Sequence, residues 1–276
     1  MGFIRPVPEF EVVGLRIRGL LFDLDGVIYN AEEPVEGAAE TVAWVQRAGI
    51  PHLFVTNTSS RGRKALAGKL SKFGITTDLR HILTPCSAAA EWLREKGGKG
   101  SVALFIKPAA FEEFEGLDLL PDTAENGARH VVIGDLSETW DFAKLNRAFR
   151  LLHSDPATSL IALGMTRYWN AADGLRLDVA PFIAALECAT GRKAIVFGKP
   201  SKSFYRAAAK QLQLQPENIA MIGDGIDTDV SGAQDAGMKG VLVRTGKFRP
   251  ADLQGSIRPD AVLDSIRDIP VWLEKF

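Results

Sequence analysis

Short apolar runs alternate along the chain with segments of helical periodicity. Residues 19–22 form an uninterrupted apolar run, the length of a buried strand. Residues 37–48 carry Ala38, Val42 and Val45 at helical spacing, and Gly49 follows as a suitable C-terminal cap. Residues 51–55 read as a second strand. Residues 64–73 read as a second helix, with Leu66, Leu70 and Phe73 on one stripe. This alternation predicts a parallel sheet covered by helices.

A second series begins near Leu83. It predicts strands at 101–106, 130–133 and 159–163, a short helix at 109–114, and a helix at 142–152 with Leu145, Phe149 and Leu152 in register. The first series resumes with a strand at 194–197, a helix at 203–212, a strand at 219–222, a helix at 229–236 and a strand at 241–243. A terminal helix is expected within 266–276. The reading is therefore an α/β protein: a doubly wound parallel-sheet core, 1–82 and 192–276, interrupted by an inserted α/β domain at 83–191.

Composition narrows the class. The chain has 276 residues, is 46% hydrophobic and carries 33 basic against 34 acidic residues. Such a balance argues against nucleic acid or an anionic membrane as partner. No apolar run approaches the ~18 residues needed to span a bilayer. Residues 1–18 carry Glu9, Glu11 and two prolines, and no secretory signal is expected there. Cys86 and Cys188, far apart in sequence, read as reduced thiols of a cytoplasmic protein. The four histidines share no ligand spacing.

Chemistry concentrates at four strand ends. Asp23 and Asp25 follow the first apolar run, and side chains at i and i+2 of an extended chain project to one side. Such a pair either holds a divalent cation or divides acid and base work. Val55 is followed by Thr56-Asn57-Thr58-Ser59-Ser60, which suits a phosphate oxygen at a helix N-terminus, or an ordinary cap. Lys199 lies between Gly198 and Pro200, where its ammonium neutralises either a carboxylate or a phosphate. Asp224 ends a further apolar strand as a third carboxylate for Mg²⁺, an ion that takes hard oxygen ligands. Asp227 suits a helix dipole, and Asp229 suits the orienting of a water or of the lysine. In a doubly wound sheet such strand ends converge on one crevice. The basic stretch 244–249 reads as a surface turn.

The motifs DLDGV, TNTSS, GKP and GDGIDTD resemble the four motifs of the haloacid dehalogenase-like (HAD) phosphohydrolases, with a Rossmann-like core. The insertion between the second and third motifs resembles the C2-type cap of their NagD-like subgroup. The resemblance runs from Arg18 onward. RYWNAADGLRLDVAPFIAALE, GAQDAGM and VRTGKFRPAD resemble one branch of that subgroup, in which Ser stands at the position of Asp25. With Asp25, this site follows the general family pattern.

The resemblance implies a phosphatase acting on a small phosphorylated metabolite, pyrophosphate or a phosphoramidate. Asp23 would be the nucleophile and form an aspartyl-phosphate. Asp25 would be the general acid and then the base, which requires a carboxyl pKa above about 3.9. Mg²⁺ would be held by the Asp23 carboxylate, the Asp25 backbone carbonyl and Asp224. Thr56, the Asn57 N–H and Lys199 would hold the phosphoryl oxygens. Arg167, Tyr168 and Asp173, in the cap, would set specificity, and two copies would pair through the cap. A signalling receiver domain shares the acceptor Asp, the hydroxyl and the Lys, but not Asp25 or a cap. A dehalogenase on the same fold would need neither Asp224 nor Mg²⁺.

Overall fold

The apolar run at 19–22 forms, together with Asp23, the strand Gly19–Asp23, every residue of which is buried. A strand buried on both faces belongs inside a sheet. In the computed structural model, which describes residues 10–12, 15–95, 100–171 and 173–274, it lies third from one edge of a six-stranded sheet. The strand order is Ala261–Leu263, Lys239–Val243, Ile219–Gly223, Gly19–Asp23, His52–Val55, Ile82–Leu83. All of its neighbours pair in parallel. Leu20, Phe22, Phe54 and Ile222 meet Val42 and Val45 of the helix Ala38–Arg47, Leu70 of Arg63–Lys72, and Trp272 of Ile269–Glu274 in one buried cluster. Leu21, Leu53 and Met221 alternate with these along their strands and are equally buried.

A second sheet contains Ser101–Phe105, Ala128–Ile133, Ser159–Ala162 and Ile195–Val196, again all parallel. Its core gathers Phe105, Val131, Ile133 and Leu160 with Leu151 and Leu152 of the helix Phe142–Ser154 and Ile183 and Leu186 of the helix Val179–Thr190. The chain divides into two compact units. One holds the described residues up to Thr56, Leu66–Leu83 and those from Lys199 onward; the other holds Asn57–Ala65 and Thr84–Gly198.

Several expectations need correction. The run at 194–197 was expected in the core, but Ile195–Val196 hydrogen-bonds alongside Ile161 and Ala162 in the second sheet. An apolar strand does not say which sheet it joins, so the inserted stretch runs to Gly198 and not to 191. The expected helix 229–236 begins as a π turn, Ile226–Ser231, before the short helix Gly232–Asp235. Residues 109–114 belong to a 3-10 helix, Pro108–Phe114, started by its proline. The pattern did not point to the buried helix Pro85–Glu95 or to the hairpin of Tyr168–Ala171 and Gly174–Leu177. The expected tail helix is found as Ile269–Glu274; residues 275–276 and 1–9 lie outside the described residues. Among the described residues, no helix is long and apolar enough to cross a membrane.

Candidate active site at the carboxyl edge of the sheet

From Gly19–Asp23 the chain builds outward through His52–Val55 to Ile82–Leu83. It then returns to place Ile219–Gly223 on the opposite side of Gly19–Asp23. Strand order reverses between these two strands, and that reversal opens a crevice at their carboxyl ends. Phe22 lies opposite Ile222, so Asp23 and Asp224 emerge side by side at the reversal. Asp23 is also paired with Val55, which brings Thr56 to the same edge.

The side chains that converge there are almost fully buried: Asp23 is 5% exposed, Thr56 4%, Lys199 4%, Asp224 1% and Asp229 0%. Lys199 Nζ lies 2.8 Å from Asp23 Oδ1 and 2.7 Å from Asp229 Oδ1. Asp23 Oδ1 also accepts the Leu24 N–H at 2.7 Å, and Asp229 Oδ2 accepts the Gly225 N–H at 2.9 Å. The buried Tyr205 hydroxyl donates to the carbonyls of Thr228 (2.8 Å) and Asp229 (3.2 Å), pinning the π turn.

Burial pushes the Asp23 carboxyl up to about 7, against the pull of Lys199, while Asp229 adds to the rise. Burial likewise raises Asp224, and Lys247 opposes it. Burial pulls the Lys199 ammonium down, but Asp229 and Asp23 more than reverse this, and its pKa lies above that of an ordinary lysine. One carboxylate oxygen from each of Asp23, Asp224 and Asp229 lies within 4.8 Å of the others. Three buried carboxyl groups stand against one buried ammonium, and Asp224 Oδ1 is buried without a hydrogen-bond partner. Those features fit a divalent cation with oxygen ligands.

The structure redistributes the expected residues. The strand ends at Asp23, so strand alternation does not extend to Asp25, which is exposed while Asp23 is buried. The N–H groups of Ile28 and Tyr29 turn back to the Leu24 carbonyl, and the Gly26 N–H to that of Tyr29, which ends the extended geometry the alternation rule assumes. Asp229 faces the lysine, and Asp227 is exposed. Asn57 falls in the other unit. Arg167, Tyr168 and Asp173 all lie on or beside the hairpin of that second unit. The Arg167 guanidinium lies 5.9 Å from the Tyr168 ring centre, and Asp173 takes two hydrogen bonds from Arg176.

One contribution was missed. The turn at 244–249 reaches Asp224, whose Oδ2 accepts the Lys247 N–H at 2.7 Å. The signal was available, because that turn also follows an apolar strand at the same sheet edge.

Residues 20–119 match the family model described as haloacid dehalogenase-like hydrolase, and residues 196–269 match one described as HAD-hydrolase-like. The first covers Asp23 and Thr56, and the second Lys199, Asp224 and Asp229. A phospholysine phosphohistidine inorganic pyrophosphate phosphatase from Homo sapiens is 35% identical over 257 residues, covering 91% of this chain and 92% of that protein. The chain belongs to the haloacid dehalogenase-like hydrolases. A solved structure, the p-nitrophenyl phosphatase from Archaeoglobus fulgidus, is 29% identical, with a TM-score of 0.84 over 94% of this chain and 99% of that one. NagD from E. coli K-12, at 23% identity, shares the fold, with a TM-score of 0.80 over 91% of this chain and 98% of that one. This haloacid dehalogenase-like hydrolase is a phosphohydrolase with a NagD-like core and cap.

Proposed function

We propose that the enzyme is a Mg²⁺-dependent phosphatase that hydrolyses a small phosphorylated metabolite through an aspartyl-phosphate at Asp23. The observation that carries this reading is Asp23 itself: buried, fixed by Lys199, and clustered with Asp224 and Asp229 at the reversal of strand order. The carboxylates of Asp23 and Asp224 and the Asp25 backbone carbonyl would hold Mg²⁺. Both oxygens of Asp229 are already engaged, by Lys199 and by the Gly225 N–H, so its part is to hold the lysine. When bound, the cation offsets repulsion between an anionic nucleophile and an anionic phosphate.

The chain's own residues then perform the transfer. An Asp23 carboxylate oxygen forms a bond to phosphorus as the bond to the leaving oxygen breaks, and Asp25 gives that oxygen its proton. Asp25, now a carboxylate, takes a proton from water. The water oxygen attacks phosphorus, and the Asp23–phosphorus bond breaks to release phosphate. The exposure of Asp25 suits a group that must meet both leaving group and water. Thr56, the Asn57 N–H and Lys199 hold the phosphoryl oxygens, since phosphoryl transfer rests on positioning and charge stabilisation.

The names of the relatives mention phospholysine, phosphohistidine, pyrophosphate and p-nitrophenyl phosphate. With a carboxyl at position 25, a phosphate monoester is the preferred substrate class here, and Arg167, Tyr168 and Asp173 are its specificity residues. The free cysteines Cys86 and Cys188 fit a cytoplasmic enzyme. Two copies pair through the second unit. Its helix Val179–Thr190 is apolar nearly all round yet exposes Ala184, Ala185, Cys188 and Ala189, and Leu175 and Leu177 of the hairpin are also uncovered.

The test is phosphate release from a panel of monoesters, pyrophosphate and phosphoramidate, with and without Mg²⁺, alongside Asp23→Asn. Metal-dependent release that is lost in the variant supports the reading. Undiminished release by Asp23→Asn in a clean preparation removes Asp23 as the nucleophile.

A further inference from the structure

We propose that the turn Thr245-Gly246-Lys247 is a positioning element for the metal site: it clamps one oxygen of Asp224 and so decides that the other faces the cation. The inference rests on the reading of Asp224 as a metal ligand. Asp224 Oδ2 accepts the Lys247 backbone N–H at 2.7 Å, whereas Oδ1 is buried without a hydrogen-bond partner. The Lys247 ammonium is mostly exposed and lies 3.9 Å from Oδ1, so the backbone and not the side chain makes the contact.

Two glycines from distant parts of the chain close on the same oxygen. A Cβ on Gly26 would lie 2.0 Å from Asp224 Oδ2, and one on Gly246 would lie 2.1 Å from it. Both have positive φ, +84° and +66°, which glycine adopts without penalty. A Cβ on Gly246 would also meet Gly26 Cα at 2.5 Å, so the two turns touch. The Thr245 hydroxyl donates to the Gly26 carbonyl and ties them together. The turn that follows Asp23 is thereby linked to the carboxylate opposite it. Partners that orient a metal-ligating carboxylate typically contribute 10–100-fold in metal affinity.

The experiment measures Mn²⁺ binding by the loss of free-ion EPR signal, without substrate, in the full chain. Thr245→Val is expected to weaken binding by about 10-fold or more, with Thr245→Ser restoring it. Lys247→Pro, which removes the N–H, is expected to do the same, whereas Lys247→Ala, which keeps it, binds at least as tightly as wild type. Thermal midpoints in EDTA accompany each variant. A lower midpoint with unchanged Mn²⁺ affinity would make the turn a merely structural tie and overturn the inference. Asp224→Asn separates the two readings. Wild-type binding by Asp224→Asn removes the metal site, and the inference with it. Lost binding there, with wild-type affinity in Thr245→Val and Lys247→Pro, removes the positioning role alone.

Discussion

Removing the charge of Asp23 is expected to destroy activity and, without metal, to stabilise the protein. The carboxyl rises from 3.8 to about 7 on folding, chiefly through burial. At 1.36 kcal/mol per pH unit, keeping it ionised in the folded state costs about 4 kcal/mol. Asparagine keeps the shape without that cost, although Lys199 is then left with Asp229 alone. The expected gain for Asp23→Asn at pH 8 in EDTA is about 2–4 kcal/mol. The sign follows from linkage. The folded state holds this proton more tightly than the unfolded state, so wild-type stability falls as pH rises from about 4 to about 7. The variant lacks that slope, and the two proteins converge near pH 4. Saturating Mg²⁺ reverses the order, because a carboxylate is the better ligand. Amide hydrogen exchange of the strands Gly19–Asp23 and Ile219–Gly223 reports the opening of this unit itself. Equal opening free energies at pH 8 in EDTA, or a gap that persists at pH 4, would refute the argument.

Three further outcomes are expected. Asp25→Asn should slow hydrolysis of alkyl phosphates far more than that of aryl phosphates, whose leaving groups need less protonation; equal losses across the two series would remove the general acid. Tyr205→Phe should cost about 1–3 kcal/mol in urea unfolding, since two carbonyls in the π turn lose their donor; an unchanged midpoint would show that these bonds contribute nothing. Leu175→Asp with Leu177→Asp should yield monomers in sedimentation velocity that keep the wild-type circular dichroism spectrum, because both side chains are exposed in the single chain; an unaltered sedimentation coefficient would place any pairing elsewhere.

Much of the fold is legible in periodicity. The runs at 19–22, 51–55 and 219–222 are apolar because their strands are buried on both faces, and helices of matching period cover them. The hairpin of Tyr168–Ala171 and Gly174–Leu177 hid because Tyr168, Trp169, Leu175 and Leu177 are exposed, so no burial pattern marks it. The helix Pro85–Glu95 hid because its first six residues are all buried and mostly small, so its opening turns show no polar stripe; its exposed polar residues Glu91, Arg94 and Glu95 come only in the last turns.

The sequence by itself determined which residues bring chemistry to the molecule. An apolar strand that ends in Asp, Thr or Asp delivers that side chain to the carboxyl edge, and a parallel sheet gathers such edges. Tertiary structure alone decided how those residues divide the work. It buried Asp23 and left Asp25 in solvent, joined Ile195–Val196 to the second sheet, set Asp229 against Lys199, and brought Gly246 onto Asp224 beside Gly26. Local patterns report what each residue does to its own few neighbours. A contact between turns more than two hundred residues apart follows from strand order, and strand order is a property of the packed whole.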